Sequence, residues 1–248
     1  MDLSIVIPAY NESGRMRATL STLVHYFSGT DLSWEIVVVD DGSEDGTVRT
    51  VEEYAKERDS ATAANIRVKT IPHQGKGAAV AEGVKTAQGD WILMTDADLS
   101  TPVTEWERIE KELSNGAQVV AGSRQISGSQ VEVHQPWLRQ SLGIMFGFLV
   151  RLIFRLPVID SQCGFKGFQR EAALTLFNEL SSSGFCFDVE VLLRARQYGF
   201  TIKEVPVRWY NHPDSRVRLS RDWPGVMKEL FKLRFGHDRK GGPREGPG

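Results

Sequence analysis

The first 122 residues alternate between short apolar runs and longer amphipathic stretches, and few folds accommodate that pattern. The apolar runs, rich in Val and Ile, are 3–8, 34–39, 66–71, 91–95 and 117–121. Such runs predict strands buried on both faces. The stretches between them predict helices over 15–27, 48–58, 78–86 and 105–113. Alternating strands and helices indicate an α/β domain with a mostly parallel sheet flanked by helices, a Rossmann-like arrangement.

Three polar clusters follow the ends of predicted strands. Residues 8–12 follow the first strand, 40–43 the second and 96–98 the fourth. In an open parallel sheet, ligands bind outside the carboxyl ends of the strands. We therefore expect all three clusters on one rim of the sheet.

The second half of the chain is less regular. Its patterns predict helices over 139–156, 171–180, 189–198 and 223–235, and a strand over 201–209. The helix over 139–156 would be about 27 Å long, a little shorter than the ~30 Å hydrocarbon core of a bilayer. It also contains Arg151 and Arg155. A core helix or a helix on a membrane surface fits better than a membrane span, and the pattern leaves both open.

Composition excludes several classes of protein. Two cysteines imply no disulfide framework, and with five scattered histidines they make no zinc-ligand spacing. The first residues lack a basic region followed by a long apolar one, so we expect no signal peptide and a cytoplasmic location.

The charged residues are unevenly distributed along the chain. Residues 1–133 hold 12 Lys and Arg against 21 Asp and Glu, whereas 134–248 hold 18 against 11. The acidic half suits a cation and the basic half suits phosphate or a membrane surface, unless both are simply solvated faces.

Asp96 and Asp98 form an Asp-x-Asp pair after the fourth predicted strand. Residues i and i+2 of an extended chain point the same way, so the two carboxylates converge and need a positive charge beside them. Mg²⁺ or Mn²⁺ meets that need and often shares its ligand shell with substrate phosphates. The alternative is capping, in which Asp98 or Ser100 caps a helix behind Pro102.

Two other clusters offer nucleotide-binding chemistry. A carboxylate at Asp40 can accept hydrogen bonds from a base or a ribose, although a turn with a helix cap is an equal alternative. The Gly-rich stretch 73–79 leads into a helix, so its backbone N–H groups and Lys76 could meet phosphate. It is not a P-loop, because no Ser or Thr follows the Lys. The chain also lacks the G-x-G-x-x-G fingerprint of dinucleotide-binding folds.

Together these segments resemble a known family. The chain carries, in order, LSIVIPAYNE, IVVVDDGSEDGT, GKGAAVAEGV, TDADLSTP and VAGSR. Their order and spacing are similar to those of family 2 inverting glycosyltransferases with a GT-A fold. The segments DSQCGFKGFQREAALTLF, FDVEVLLRARQYGFTIKEVPVRW and SRV resemble the dolichyl-phosphate glucosyltransferase branch. Polyprenyl-phosphate mannosyltransferases look similar, but typically carry a Ser-Gly-Phe-Arg-like version of the Cys-Gly-Phe-Lys segment at 163–166.

The resemblance implies a donor site. The side chains lining the base and ribose of the nucleotide would be Pro8, Tyr10, Glu12 and Asp40, with Lys76 nearby. Asp96 would face the ribose or diphosphate, and Asp98 would be the principal ligand of Mg²⁺ or Mn²⁺. Some relatives place a further Gln ligand where this chain has Ser100, so water would complete the shell.

The resemblance also implies an acceptor site. Arg124 and Arg139 would hold the acceptor phosphate, and Ser215 and Arg216 would close over the diphosphate. Asp188 would orient an arginine or bound the acceptor pocket, and it would serve as general base if the acceptor were a hydroxyl. As an alternative, Asp188 could simply be a helix N-cap.

The resemblance therefore predicts a metal-dependent enzyme that moves a sugar to a polyprenyl or dolichyl phosphate. The Cys-Gly-Phe-Lys segment favours UDP-glucose over GDP-mannose as donor. One domain is expected over 1–238, with a nucleotide-sugar half (1–122), an acceptor half (123–238) and a disordered tail (239–248). Attachment would be peripheral on the cytoplasmic membrane face, with no nucleic-acid partner. The alternatives are a mannosyltransferase, a family 2 enzyme with a soluble hydroxyl acceptor, and a nucleotidyltransferase or nucleotide-sugar-binding module.

Overall fold

A computed structural model describes residues 1–132, 147, 150–184, 186–211 and 229–234 of the chain. The strands are β1 (Leu3–Ala9), β2 (Trp34–Asp40), β3 (Ile66–Thr70), β4 (Trp91–Met94), β5 (Val119–Ser123), β6 (Gln130–Val131), β7 (Lys166–Gln169), β8 (Ile202–Pro206) and β9 (Arg208–Trp209). The helices are α1 (Ser13–Phe27), α2 (Thr47–Lys56), α3 (Ser60–Ala64), α4 (Lys76–Thr86), α5 (Trp106–Ser114), α6 (Arg170–Asn178) and α7 (Phe187–Gln197). A short 3₁₀ turn, Val103–Glu105, precedes α5.

Seven strands form one sheet in the order β3-β2-β1-β4-β7-β5-β8. Every pairing in it is parallel except the two made by β7, which is antiparallel to both β4 and β5. The predicted mostly parallel α/β sheet is therefore confirmed. The strand β7 was not predicted, because Lys166–Gln169 is short and lacks a Val/Ile run. The strands β6 and β9 pair separately as a small second sheet.

The sheet is covered by helices on both faces, which explains why its central strands are apolar throughout. One buried cluster joins the sheet to α1, α2 and α5 and includes Leu20, Val51 and Ile109. The other joins it to α4, α6 and α7 and includes Val80 and Leu176. β1 and β2 are buried almost along their whole length, as predicted. β3 differs, since it is an edge strand and its last two residues are exposed.

The predicted helices of the second half are only partly described. Residues 150–154 are helical, with Val150 and Phe154 buried and Leu152 exposed. Arg155 has a positive φ of 50° directly after them, so the helix stops before the predicted end at residue 156. Helical residues 229–234 bury Leu230 and Leu233 in the α4, α6 and α7 cluster. In the described parts of the chain, no helix has the length and apolarity that crossing a membrane requires.

Other predictions about the second half have mixed outcomes. The predicted strand over 201–209 is divided at Val207, so that β8 joins the main sheet and β9 joins the small one. The start of the helix over 139–156, most of the helix over 223–235 and the tail over 239–248 lie outside the described residues. The single domain over 1–238 and its division at residue 122 stay predictions.

Candidate active site

The loops after β1, β2 and β4 meet at one rim, because β2, β1 and β4 are parallel neighbours in the sheet. The loops after β1 and β2 are also tied together by hydrogen bonds. The Asn11 N–H donates to Ser43 Oγ at 2.8 Å, and Asn11 Oδ1 accepts from the Glu44 N–H at 2.8 Å. Asn11 has a φ of 55°, a conformation that Asn tolerates better than most residues. Asn11 lies in the first of the sequence motifs, which did not predict this role.

The residues predicted to line the base and ribose all lie at this rim. Pro8 is half-buried at the end of β1 and Tyr10 is exposed. Glu12 Oε2 lies 2.9 Å from Arg15 Nε. Asp40 is fully buried, and its Oδ2 accepts a hydrogen bond from the Ser43 N–H at 3.2 Å. The structure thus places these residues together, and their contacts with a nucleotide stay predictions.

The Gly-rich loop before α4 is organised differently from the prediction. The N–H groups of Gln74 and Gly75 donate to the Asp41 carboxylate at 2.8 and 2.9 Å. Those of Gly77 and Ala78 point at the Ser183 carbonyl oxygen, at 2.8 and 3.4 Å. These four backbone donors are already used, so the prediction that the loop's amides meet phosphate is wrong for them. The Lys76 side chain remains the loop's candidate contact for phosphate.

The close approach at Ser183 requires glycines in the loop. A Cβ added at Gly75 would lie 2.6 Å from the Ser183 carbonyl oxygen, and Gly75 has a φ of 109°. The segment that carries Ser183 is held in turn by the buried Glu190 carboxylate. Glu190 accepts hydrogen bonds from the Ser181 and Ser182 N–H groups, at 2.9 and 2.7 Å. The start of α4 is therefore positioned from the second half of the chain.

Asp96 and Asp98 each lie near a basic side chain. Lys76 Nζ is 2.5 Å from Asp96 Oδ1, and an Arg15 nitrogen is 3.9 Å from Asp98 Oδ2. Burial alone would lower the pKa of Lys76, but the carboxylates of Asp96, Asp188 and Asp98 outweigh it and raise the pKa. The positive charge that the Asp-x-Asp pair requires is thus supplied in part by Lys76.

The hydrogen bonds of the turn after β4 exclude the alternative that Asp98 or Ser100 caps a helix. Asp98 Oδ1 accepts from the Ser100 N–H at 2.9 Å, which is a local turn bond two residues along the chain. The 3₁₀ turn behind Pro102 has no side-chain cap, so neither Asp98 nor Ser100 caps it. Gly164 packs against Asp96 so closely that an added Cβ would lie 2.0 Å from Asp96 Oδ2. The Cys-Gly-Phe-Lys segment is therefore in contact with the Asp-x-Asp pair.

The donor set at this rim fits a divalent cation that shares its ligands with substrate. The described residues contain no group of three or more His, Cys, Asp or Glu side chains placed to hold a metal. Two carboxylates alone make an incomplete shell for Mg²⁺ or Mn²⁺. Diphosphate oxygens and water complete such a shell in many nucleotide-dependent enzymes. Asp96 and Asp98 therefore suit an ion that arrives with a diphosphate.

Arg124 follows β5 and is held by Asp160. Its Nε and one terminal nitrogen lie 2.7 and 2.8 Å from the two Asp160 oxygens, a bidentate pair. The indole of Trp209 lies beneath the guanidinium, 5.5 Å from ring centroid to Cζ. Burial would lower the pKa of Arg124, but Asp160, with a smaller contribution from Asp96, outweighs it and raises the pKa. Asp160 also accepts from the Gln162 N–H, and Gly164 two residues later packs against Asp96, so residues 160–164 connect the Arg124–Asp160 pair to the Asp-x-Asp pair.

Asp188 has a partner that sequence reasoning missed. Lys166 Nζ lies 2.6 Å from Asp188 Oδ1, and both side chains are buried. We expected Asp188 to orient an arginine or bound the acceptor pocket, to act as general base for a hydroxyl acceptor, or to be a helix N-cap. The structure places it in the first turn of α7, where Cys186 is the N-cap residue, so the N-cap alternative is wrong. Its ion-pair partner in the described residues is a lysine and not an arginine, and the pocket and general-base roles stay predictions. The signal for Lys166 was in the Cys-Gly-Phe-Lys segment, which was interpreted as a mark of donor preference only.

Three predicted site residues, Arg139, Ser215 and Arg216, lie outside the described residues. Their roles stay predictions. The other predicted site residues lie in the described part of the chain, and an ion pair joins two of them, Lys76 and Asp96.

Comparison with known proteins identifies the family. Residues 4–177 match the family model described as "Glycosyl transferase family 2". The chain belongs to glycosyl transferase family 2. It is therefore a glycosyltransferase, as the motifs predicted.

Two relatives indicate which branch of the family the chain resembles. A dolichyl-phosphate beta-glucosyltransferase of Trichomonas vaginalis is 38% identical over 242 residues, which cover 93% of this chain and 69% of the relative. The dolichyl-phosphate beta-glucosyltransferase of Homo sapiens is 32% identical over 245 residues, covering 94% of this chain and 75% of that one. The predicted resemblance to this branch is confirmed.

Two solved structures share the fold of this chain. Glucosyl-3-phosphoglycerate synthase from Mycobacterium tuberculosis, in complex with Mn²⁺, UDP and glucosyl-3-phosphoglycerate, superposes with a TM-score of 0.69 at 19% identity, covering 99% of this chain and 82% of that one. A mannosyltransferase from Pyrobaculum calidifontis, in complex with GDP-Man and Mn²⁺, gives 0.63 at 18% identity, covering 98% and 65%. The GT-A fold prediction is confirmed.

Proposed function

We propose that this glycosyltransferase moves glucose from UDP-glucose to dolichyl phosphate or a related polyprenyl phosphate, with Mg²⁺ or Mn²⁺. The observation that carries the proposal is the position of Arg124. Asp160 holds its guanidinium at one end of the segment 160–164, and Gly164 at the other end packs against Asp96, so the same segment connects a cation able to bind phosphate to the donor site. The relatives named dolichyl-phosphate beta-glucosyltransferases support the choice of sugar and lipid.

The donor would bind at the rim formed by β1, β2 and β4. Pro8, Tyr10, Glu12 and Asp40 lie on the side where the nucleoside would bind, and Lys76 lies on the side of the diphosphate. Asp96 and Asp98 would hold the divalent ion, which neutralises charge on the departing nucleoside diphosphate when it is bound. Lys76 then meets a second negatively charged partner, because its ammonium group can contact diphosphate oxygens as well as Asp96.

The acceptor chemistry suits the residues that are present. A phosphate monoester is already largely anionic at neutral pH, so it attacks the sugar carbon without a general base. The bond from that carbon to the diphosphate breaks as the new bond to the acceptor oxygen forms on the opposite face. Two of Arg124's donors are used by Asp160, and a guanidinium has five. The other three can therefore contact the acceptor phosphate while the arginine stays fixed.

Asp188 has a structural role in the proposed reaction and not that of a general base. A phosphate acceptor has no proton that must be removed, so no general base is needed. Asp188 would then serve to hold Lys166 in place through their ion pair. Its role as general base would arise only with a hydroxyl acceptor.

The lipid tail would lie on the side of the sheet that carries α4, α6 and α7. On that side Leu152 and Phe231 are 65% and 66% exposed, unusual for side chains of their size. Exposed Arg151 and Lys232 adjoin them in sequence, and exposed Arg234 follows three residues after Phe231. We propose that this basic and apolar surface contacts the cytoplasmic face of a membrane peripherally.

A donor and acceptor screen tests the proposal. Release of nucleoside diphosphate is measured from UDP-glucose and from GDP-mannose, with Mn²⁺ and with or without a short polyprenyl phosphate. We expect release to require UDP-glucose and the lipid phosphate together. A preference for GDP-mannose would reverse the donor assignment, and lipid-independent transfer to a soluble hydroxyl would overturn the acceptor assignment.

Arg124→Ala gives the sharper test of the acceptor site. The variant should bind UDP like the wild type but lose transfer to polyprenyl phosphate. Arg49→Ala, which removes an exposed arginine of α2, is the matched control and should keep both properties. Normal transfer by Arg124→Ala would exclude the proposed role of Arg124.

A further inference from the structure

The ring of His73, a residue to which no motif assigned a role, stacks on the ring of Tyr10. The two ring centroids are 4.2 Å apart and the planes are inclined by 23°. His73 keeps 56% of its side chain exposed and Tyr10 is 37% exposed. A stack of two rings thus borders the rim at the ends of β1 and β2.

Asp41 fixes the position of His73. His73 Nδ1 lies 2.9 Å from Asp41 Oδ2 and 3.0 Å from the Asp41 carbonyl oxygen. Both of these atoms are acceptors, so Nδ1 carries the proton and the ring orientation is set. The same carboxylate accepts from the Gln74 and Gly75 N–H groups. Asp41 is only 3% exposed, so its carboxylate, which contacts His73 Nδ1, is shielded from solvent.

The place of this stack indicates what it binds. Lys76, three residues after His73, contacts Asp96 at the proposed diphosphate site. A nucleoside diphosphate held there places its base some distance along the rim, toward the ends of β1 and β2. Exposed aromatic faces bind bases of any identity, because every base has a π-face.

We propose that His73 adds a second ring to the base-lining side chain Tyr10, so that the two rings form one platform for the donor's base, and that Asp41 positions His73. This inference rests on the proposed function, since it assigns a residue to the donor site of that reaction. Asp41 joins the two parts of the site, because it holds both His73 and the backbone that leads to Lys76.

Titrations of UDP and of inorganic pyrophosphate, each with Mn²⁺, test the platform. His73→Ala should weaken UDP binding about tenfold, the order expected for loss of one stacking partner, and leave pyrophosphate binding unchanged. His73→Phe should restore most of the UDP affinity, because it keeps the ring and loses only the Asp41 bond. His25→Ala, an exposed histidine of α1, should change neither affinity.

Asp41→Asn tests the positioning role. It should weaken UDP binding in the wild-type background and have a smaller effect when His73 is already Ala. UDP affinity unchanged in His73→Ala would overturn the platform, and so would an equal loss for UDP and pyrophosphate. A wild type that binds neither UDP nor GDP would instead overturn the proposed function, and the platform with it.

Discussion

The ammonium nitrogen of Lys166 lies 2.6 Å from Asp188 Oδ1, and the two side chains are 1% and 7% exposed. Lys166 also donates to the Cys163 carbonyl oxygen. This pair connects β7 to the start of α7. Removing one member would leave a buried charge without its partner, which is the costly way to break an ion pair.

Lys166→Met should therefore lower the free energy of unfolding by about 3–5 kcal/mol. Urea denaturation followed by circular dichroism measures the change. Lys69→Met is the matched control, because Lys69 pairs with Glu82 at the surface, with side chains 44% and 25% exposed. That exposed pair should be worth at most about 1 kcal/mol. Equal losses in the two variants would contradict the energetic importance of the buried pair.

Asp98→Ala should abolish sugar transfer and leave the fold intact. Within the described residues its carboxylate accepts one hydrogen bond, from the Ser100 N–H, so the loss of stability should be about 1 kcal/mol. Product formation and thermal unfolding are measured on the same preparation, and excess chelator should silence the wild type as well. Asp31→Ala, in the exposed loop before β2, is the control. Full activity of Asp98→Ala, or of chelated wild type, would argue against the metal site.

The stability of the loop between β2 and α2 should depend on pH through Asp45. Burial would raise the pKa of Asp45, but hydrogen bonds from Thr47 and Ser13 outweigh it and lower the pKa to about 2. Because the folded state favours the ionised form, the carboxylate stabilises the fold above its ordinary pKa. That contribution is lost as pH falls toward about 2.

Asp45→Asn measures this contribution. Asp45 is exposed, so the cost near neutral pH should be at most about 1 kcal/mol. The difference between wild type and variant should shrink between about pH 4 and pH 2. Asp31→Asn should differ little from the wild type at any pH. A difference that stays constant down to low pH would show that Asp45 acts by some means other than its charge.

Membrane binding should depend on charge around residues 229–234. Wild-type protein should float with anionic vesicles at low salt and lose that binding near 1 M salt, where the Debye length is about 3 Å. Lys232→Glu should weaken binding severalfold, since each basic residue near the surface contributes about 1 kcal/mol. Lys56→Glu, on α2 at the opposite face of the sheet, should bind like the wild type. Lack of vesicle binding by the wild type would favour a soluble acceptor.

The strands and the Asp-x-Asp pair could be predicted from local patterns alone. Buried parallel strands need apolar residues along their whole length, so β1 and β2 are evident as Val and Ile runs. Because parallel strands end at a common edge, the positions of Tyr10, Asp40 and Asp96 on one rim followed from the order of the elements. The motifs then indicated the family, which the relatives confirmed.

The tertiary structure decided the partners of these residues. Asp40 and Asp41 are adjacent and chemically identical, yet Asp40 binds Ser43 and Asp41 binds the loop at 73–75. The amides at the start of α4 looked available in sequence, but Ser183, more than 100 residues away in the chain, occupies two of them. Lys166 finds Asp188 only because β7 inserts antiparallel between β4 and β5. Local patterns report which face of an element is buried, whereas hydrogen bonds and ion pairs depend on which distant segments pack against it.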